Sequence, residues 1–83
     1  MNKYSESEII ELIRTNIAEE TKIKKEDIDI NLPISKLEMD SLAVTALCVN
    51  LEKILNIPIK PYIAWDYPTI AKMAAFLATQ PSG

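Results

Sequence analysis

Histidine is absent from this 83-residue chain, and glycine, cysteine, tryptophan and phenylalanine occur once each. Each scarcity excludes something. Without histidine the chain lacks the commonest general base, the usual metal ligand and any Ser-His or Cys-His nucleophile pair. No catalytic residue and no metal site is therefore expected. Cys48, standing alone, can form neither an internal disulfide nor a cysteine-rich metal centre, and a reducing, cytoplasmic setting is the simplest expectation. A single glycine leaves few positions for turns of positive φ, which disfavours a sandwich or barrel. Long apolar runs are missing too. Uncharged stretches such as Ser41 to Leu51 fall well short of the ~20 residues that span a bilayer. The N-terminal segment from Met1 to Arg14 is too charged for a signal peptide.

What is present fits one small folded unit. Hydrophobic residues make up 48% and charged residues 25%, proportions that argue against disorder. The length suits a single domain of marginal stability, which we place at residues 1–79 with a polar tail at 80–83. The net charge of −3 disfavours nucleic acid and anionic membrane as partners and leaves a basic protein partner open. A monomer is expected. Met1 and the short tail favour a free-standing protein.

Ser5 and Glu8 make a capping box, and behind it Ile9, Leu12, Ile13 and Ile17 recur at spacings of three and four. A first helix is predicted over residues 6–20. Residues 21–40 are less clear. Ile28, Ile30, Leu32 and Ile34 alternate with polar residues and Pro33, and Ile57, Ile59 and Ile63 do the same around Pro58 and Pro61. A two-stranded pairing is one reading, weakened because each proline lacks a ladder donor. Extended loops whose isoleucines enter a helical core are preferred. A second helix is predicted from Asp40 or Ser41 to Leu55, with Asn56 as its stop. A short helical turn is placed at residues 61–66. A last helix opens at Pro68-Thr69, capped by Thr69, with Ile70, Met73, Ala74 and Leu77 on one face. The fold class is all-α: a small four-helix bundle of three main helices and a short third one, with a long first loop.

Chemistry concentrates at Leu37-Glu38-Met39-Asp40-Ser41-Leu42. A serine at a helix start is read first as a cap. That role is compatible with another, because the positive helix end and its free N–H groups favour a nearby phosphate. Any such group needs a separate enzyme to attach it, since nothing here activates the hydroxyl. At ~100° per residue, Val44, Leu47, Leu51, Ile54 and Leu55 fall on one side of the second helix, the expected core face. Thr45, Cys48 and Glu52 lie beneath Ser41 on a more polar side. Leu42 and Val49, seven apart, form a separate narrow apolar stripe. Either the helix is buried on two sides, or the stripe is an exposed patch for partners. Cys48 is read as a partly buried small hydrophobe. Tyr62, Trp65 and Tyr67 are read as packing residues, and Lys22, Lys24 and Lys25 as a solvated cluster.

Asp40-Ser41-Leu42 at a helix start resembles the phosphopantetheine site of acyl carrier proteins. The likeness continues in order through Leu32-Pro33-Ile34-Ser35-Lys36-Leu37, Leu51-Glu52-Lys53-Ile54-Leu55 and Trp65-Asp66-Tyr67-Pro68-Thr69-Ile70. The last of these is similar to the segment opening the final helix in polyketide-synthase-type carrier domains. The resemblance implies a covalent 4'-phosphopantetheine arm, moved from coenzyme A to Ser41 by a phosphopantetheinyl transferase with magnesium. The arm's thiol would hold acyl groups as thioesters, in polyketide or specialised fatty-acid biosynthesis. A ketosynthase, acyltransferase or acyl ligase would be the working partner. Leu42 and Val49 match partner-facing positions of the family, which favours the exposed-patch reading, and Asp40 matches its acidic residue before the serine. A peptidyl or aminoacyl carrier and an unmodified helical interaction module are the alternatives. One departure stands out: Glu38 occupies the place where the family usually has glycine, adding bulk and negative charge and bearing on transferase choice.

Overall fold

Helix α1 (Glu6–Thr21) begins where its capping box requires. The Ser5 N–H donates to Glu8 Oε1 at 2.9 Å and the Glu8 N–H donates to Ser5 Oγ at 3.2 Å, so two of the helix's orphan donors are satisfied reciprocally. The computed structural model describes residues 4–80. After α1 come 3-10 turns at Lys25–Asp27 and Ile34–Lys36, then α2 (Ser41–Leu55), α3 (Ile63–Asp66) and α4 (Ile70–Ala78). The four helices match the expected all-α bundle with its long first loop. Most of the expected tail, residues 81–83, lies outside the described residues.

The core is aliphatic. Ile9, Ile13 and Ile17 of α1, Leu47, Leu51 and Leu55 of α2, and Ile70, Met73, Ala74 and Leu77 of α4 are all buried. Each large side chain removed from water in this way contributes about 1.5–3 kcal/mol. α1 packs against both α2 and α4. The side-chain amide of Asn50 donates to Asn16 Oδ1 at 2.9 Å, tying the two longest helices at one height.

The long loop is ordered by packing. Among the described residues there is no strand, and the alternative pairing of the two isoleucine segments does not form. The first segment instead docks on the entrance to α4. The Ile34 N–H donates to Pro68 O at 2.8 Å, and the Ala71 N–H donates to Ile30 O at 3.0 Å. One isolated bridge, Pro33 to Thr69, is all that remains of a ladder. Ile28, Ile34, Ile57, Ile59 and Ile63 are buried, as the loop reading required, whereas Leu32 points outward. At the far end of the loop, Lys25 Nζ pairs with Glu11 at 2.7 Å, and Arg14 bridges Glu11 and the Lys25 carbonyl. Lys25 is therefore not simply solvated. The hydrogen bond from Lys25 also holds the Glu11 carboxyl below its ordinary value.

Three further expectations change. Ile54, assigned to the core face, is 40% exposed, because it lies at the edge of that face and lines a groove between α1 and α2 with Leu12. Cys48, placed on the polar side, is fully buried. The chain after α2 folds back over that side, where the Ile59 N–H donates to Glu52 Oε1 at 2.8 Å and Cys48 Sγ lies 4.0 Å from Lys60 O. Tyr62 and Trp65 are not packing residues: they are 62% and 85% exposed. α3 is a four-residue helix and buries only Ile63. Tyr67 does pack, stacking on Phe76 with ring centroids 4.4 Å apart.

Candidate functional site

The start of α2 separates two roles that the sequence leaves superimposed. Asp40 is the cap: its backbone is extended and its carboxylate accepts from the Ala43 N–H at 2.8 Å. Its carbonyl accepts from the Val44 N–H at 2.9 Å, closing the first turn. Ser41 is the first helical residue and has no capping duty. It is exposed, and among the described residues its hydroxyl has no hydrogen-bond partner. The Thr45 hydroxyl donates to the Ser41 carbonyl at 2.8 Å, which ties up the backbone and leaves Oγ free. With Ala43 and Val44 satisfied, the N–H groups of Ser41 and Leu42 remain at the helix's positive end, where an anion on Ser41 Oγ is favoured. The residues present thus fit a phosphodiester on this serine.

Glu38 is the strained element of the approach. Its φ is +58°, in the left-handed region that costs a side chain bearing Cβ about 1–2 kcal/mol. The geometry has a cause. Leu37 is buried, Met39 is half-buried, and the chain must reverse between them to present Asp40 to α2. Glycine at 38 removes the Cβ clash but adds about 0.4–1 kcal/mol of unfolded-chain entropy. Glu38→Gly is therefore expected to stabilise the protein by about 0.5–1 kcal/mol, a rise of about 2–8 °C in melting temperature. An unchanged or lower melting temperature by calorimetry contradicts this.

Leu42 is 81% exposed and Val49 46% exposed, so the narrow stripe of α2 lies outside the core. On the other side of Ser41 a groove of about 410 Å³ opens between the first loop, the start of α2 and α3. Pro33, Met39, Val44, Pro61 and Pro68 form its walls, and Trp65 stands at its rim. Sequence reasoning missed this groove, since its walls come from segments far apart in the chain. One signal was available: a helical turn as short as 61–66 can bury only one side, and Ile63 takes it.

Cys48 is no competitor for chemistry at this site. Burial, with the charge of Glu52 adding to it, pushes its thiol pKa up, so it stays protonated and unreactive near neutral pH. Among the described residues no group of histidine, cysteine, aspartate or glutamate is disposed to hold a metal. No helix among them is long and apolar enough to cross a membrane.

Comparison with known proteins agrees with this geometry. Residues 11–77 match the family described as "Phosphopantetheine attachment site". The chain is 31% identical over 75 residues to 5-methyl-1-naphthoate synthase of Streptomyces sahachiroi, covering 90% of this chain and 4% of that one. It is 29% identical over 68 residues to 6-methylsalicylic acid synthase of Penicillium expansum, covering 82% of this chain and again 4% of the relative. The chain thus spans only a small part of these curated relatives. Among solved structures, a free-standing peptidyl carrier protein from Acinetobacter baumannii superposes with a TM-score of 0.87 at 28% identity, covering 90% of this chain and 94% of that one. The HMG-ACPI domain of the CurA module from Lyngbya majuscula gives a TM-score of 0.81 at 22% identity, covering 89% of this chain and 75% of that one, a likeness of fold.

Proposed function

Because the chain belongs to the phosphopantetheine attachment family, whose members carry 4'-phosphopantetheine covalently, we propose that Ser41 Oγ is the attachment point and that the protein carries acyl intermediates for partner enzymes. The observation that carries this reading is the free, exposed Ser41 hydroxyl at the start of α2, relieved of capping by Asp40. When bound, the arm supplies a thiol that holds acyl groups as thioesters. The chain's own residues present and orient. Asp40 fixes the first turn of α2, and the helix end favours the phosphodiester charge. Among the described residues no base stands within hydrogen-bonding distance of Ser41 Oγ, so the group that takes its proton during attachment is assigned to the transferase. The protein itself is a non-catalytic carrier.

The test is intact mass after incubation with coenzyme A, magnesium and a broad-specificity phosphopantetheinyl transferase. Gain of one phosphopantetheinyl group, mapped to the peptide holding Ser41, is expected. No gain, or a gain mapped elsewhere, overturns the assignment.

The partner surface on this reading is Asp40, Leu42 and Val49, and the enzymes that fit are a ketosynthase, an acyltransferase or an acyl ligase. Polyketide or specialised fatty-acid synthesis is the setting that the naphthoate and methylsalicylate synthase relatives support. The acidic balance of the chain favours capture by a basic docking face. Since both stripe residues are exposed, Leu42→Asp with Val49→Asp should leave the circular dichroism and melting temperature near normal. Partner-catalysed acyl transfer should fall about tenfold or more, as expected when interface anchors worth over 1 kcal/mol are removed. Normal transfer would show that the stripe is not the docking surface.

A second reading, a peptidyl carrier, is favoured by the Acinetobacter baumannii structure. Asp40 before the serine leans toward the acyl type. Loading by adenylating enzymes against loading from acyl-coenzyme A separates the two. Whether the domain works alone or within a longer synthase, residues 1–79 are proposed as its extent.

A further inference from the structure

We propose that the groove between α1 and α2 seats a second copy of this chain, and that the protein forms a weak two-fold dimer in place of the monomer expected from its sequence. The groove has a volume of about 490 Å³. Its α2 wall begins at Asn50, about 13 Å along the helix from Ser41, so the inference stands apart from attachment at that serine. Leu12 and Ile54 supply its apolar surface, Ile54 being 40% exposed. Its polar groups are left incomplete. Asn16 Nδ2 donates to Leu12 O at 2.9 Å and Asn50 Nδ2 donates to Asn16 Oδ1 at 2.9 Å, while Asn50 Oδ1 has no donor among the described residues. Glu19 on the α1 wall and Lys53 on the α2 wall are exposed, and among the described residues neither has an ion pair. Glu11, the other carboxylate of the groove, is already shared by Arg14 and Lys25.

Those unpaired charges select the occupant. One wall offers a carboxylate and the other an ammonium, so a complementary surface carries a cation toward α1 and an anion toward α2. A second copy of the groove carries both. A two-fold axis along the groove lays the α1 wall of each copy over the α2 wall of the other, an isologous arrangement in which every contact occurs twice. Lys53 of each copy then faces Glu19 of the other, and the two Ile54 side chains lie at one height on either side of the axis. An apolar centre inside a charged rim is the ordinary layout of a protein interface. Ser41 does not line this groove, so a dimer presents two accessible acceptor serines.

Sedimentation equilibrium of the unmodified full chain, with reductant and at about 0.15 M salt, reads the association. The weight-average mass should rise from the monomer value at about 10 µM toward twice that at about 1 mM, with a dissociation constant of about 100 µM, as for a small transient contact. Ile54→Asp should weaken association about tenfold or more. Lys53→Glu and Glu19→Lys should each weaken it about threefold or more, because each sets like charges together twice. Glu19→Lys is the sharper of the two, since it moves the net charge toward zero and lowers general repulsion between copies. An equimolar mixture of these two variants should recover wild-type association, because both opposite-charge pairs re-form in the mixed dimer. The double swap should recover it too. All three positions are exposed, so melting temperatures should stay near wild type. Trp65→Ala, which removes the most exposed large apolar side chain elsewhere, should leave association unchanged. A mass that stays at the monomer value throughout overturns the proposal and leaves the groove to a different protein. Association that ignores Ile54→Asp overturns it as well, as does a mixture that fails to recover. An equal loss in Trp65→Ala also overturns it, by moving the contact to α3.

Discussion

Ser41→Ala is expected to take no phosphopantetheinyl group while the protein stays folded. Loss should be complete, because the reacting atom is gone and the buried, protonated Cys48 offers no substitute nucleophile. The fold should hold because Ser41 Oγ makes no hydrogen bond among the described residues and the cap is supplied by Asp40. Alanine is also an excellent helix former in the first turn. The melting temperature should therefore stay close to wild type, a surface substitution falling within about 0.5 kcal/mol. The reciprocal substitution sharpens the point. Asp40→Ala removes the cap and should cost about 1 kcal/mol of stability while keeping the nucleophilic oxygen of Ser41. If Ser41→Ala were to destabilise the protein as much as Asp40→Ala, the division of labour at this helix start would be wrong. If it were to retain the mass gain, Ser41 would not be the attachment point.

The largest expected effect on stability is at Leu51→Ala. Leu51 is fully buried in α2, facing the core that α1 and α4 complete. Deleting its isobutyl branch loses the transfer free energy and leaves a cavity, together about 2–5 kcal/mol. An 83-residue domain has a total of about 4–12 kcal/mol, so much of its stability is at stake. A fall of at least about 10 °C in melting temperature is expected. The urea midpoint should fall with little change in slope. Val49→Ala, two residues away and 46% exposed, is the control and should cost far less. Comparable losses at the two positions would mean that the faces of α2 are misassigned.

Local signals were legible because their physics is local. The capping box of Ser5 and Glu8, the left-handed stop at Asn56 and the cap at Thr69 depend only on neighbours within a turn. Each stands where the spacing places it. The three-four repeat of Ile9, Ile13 and Ile17 likewise finds its buried face. Helical angles predicted most of the α2 core face but failed at its margins. They put Ile54 inside, where the α1–α2 groove leaves it exposed, and Cys48 on the more polar side as only partly buried, where the returning loop buries it fully. The margin of an amphipathic face is set by what packs beside it, which an angle on one helix does not contain.

The sequence by itself determined a helical domain with a serine at the start of its second helix, and its motifs around Asp40-Ser41-Leu42 carried the resemblance to carrier domains. The helical conclusions follow from short-range periodicity and from caps. Only the tertiary structure decided that Asp40 rather than Ser41 bears the cap, that Glu38 sits in a left-handed turn, and that Trp65 stands bare at a groove beside the serine. Each depends on where distant segments meet. The loop from Ile28 to Ile34 binds the entrance of α4, the chain reverses between buried Leu37 and Asp40, and α3 is too short to cover more than Ile63.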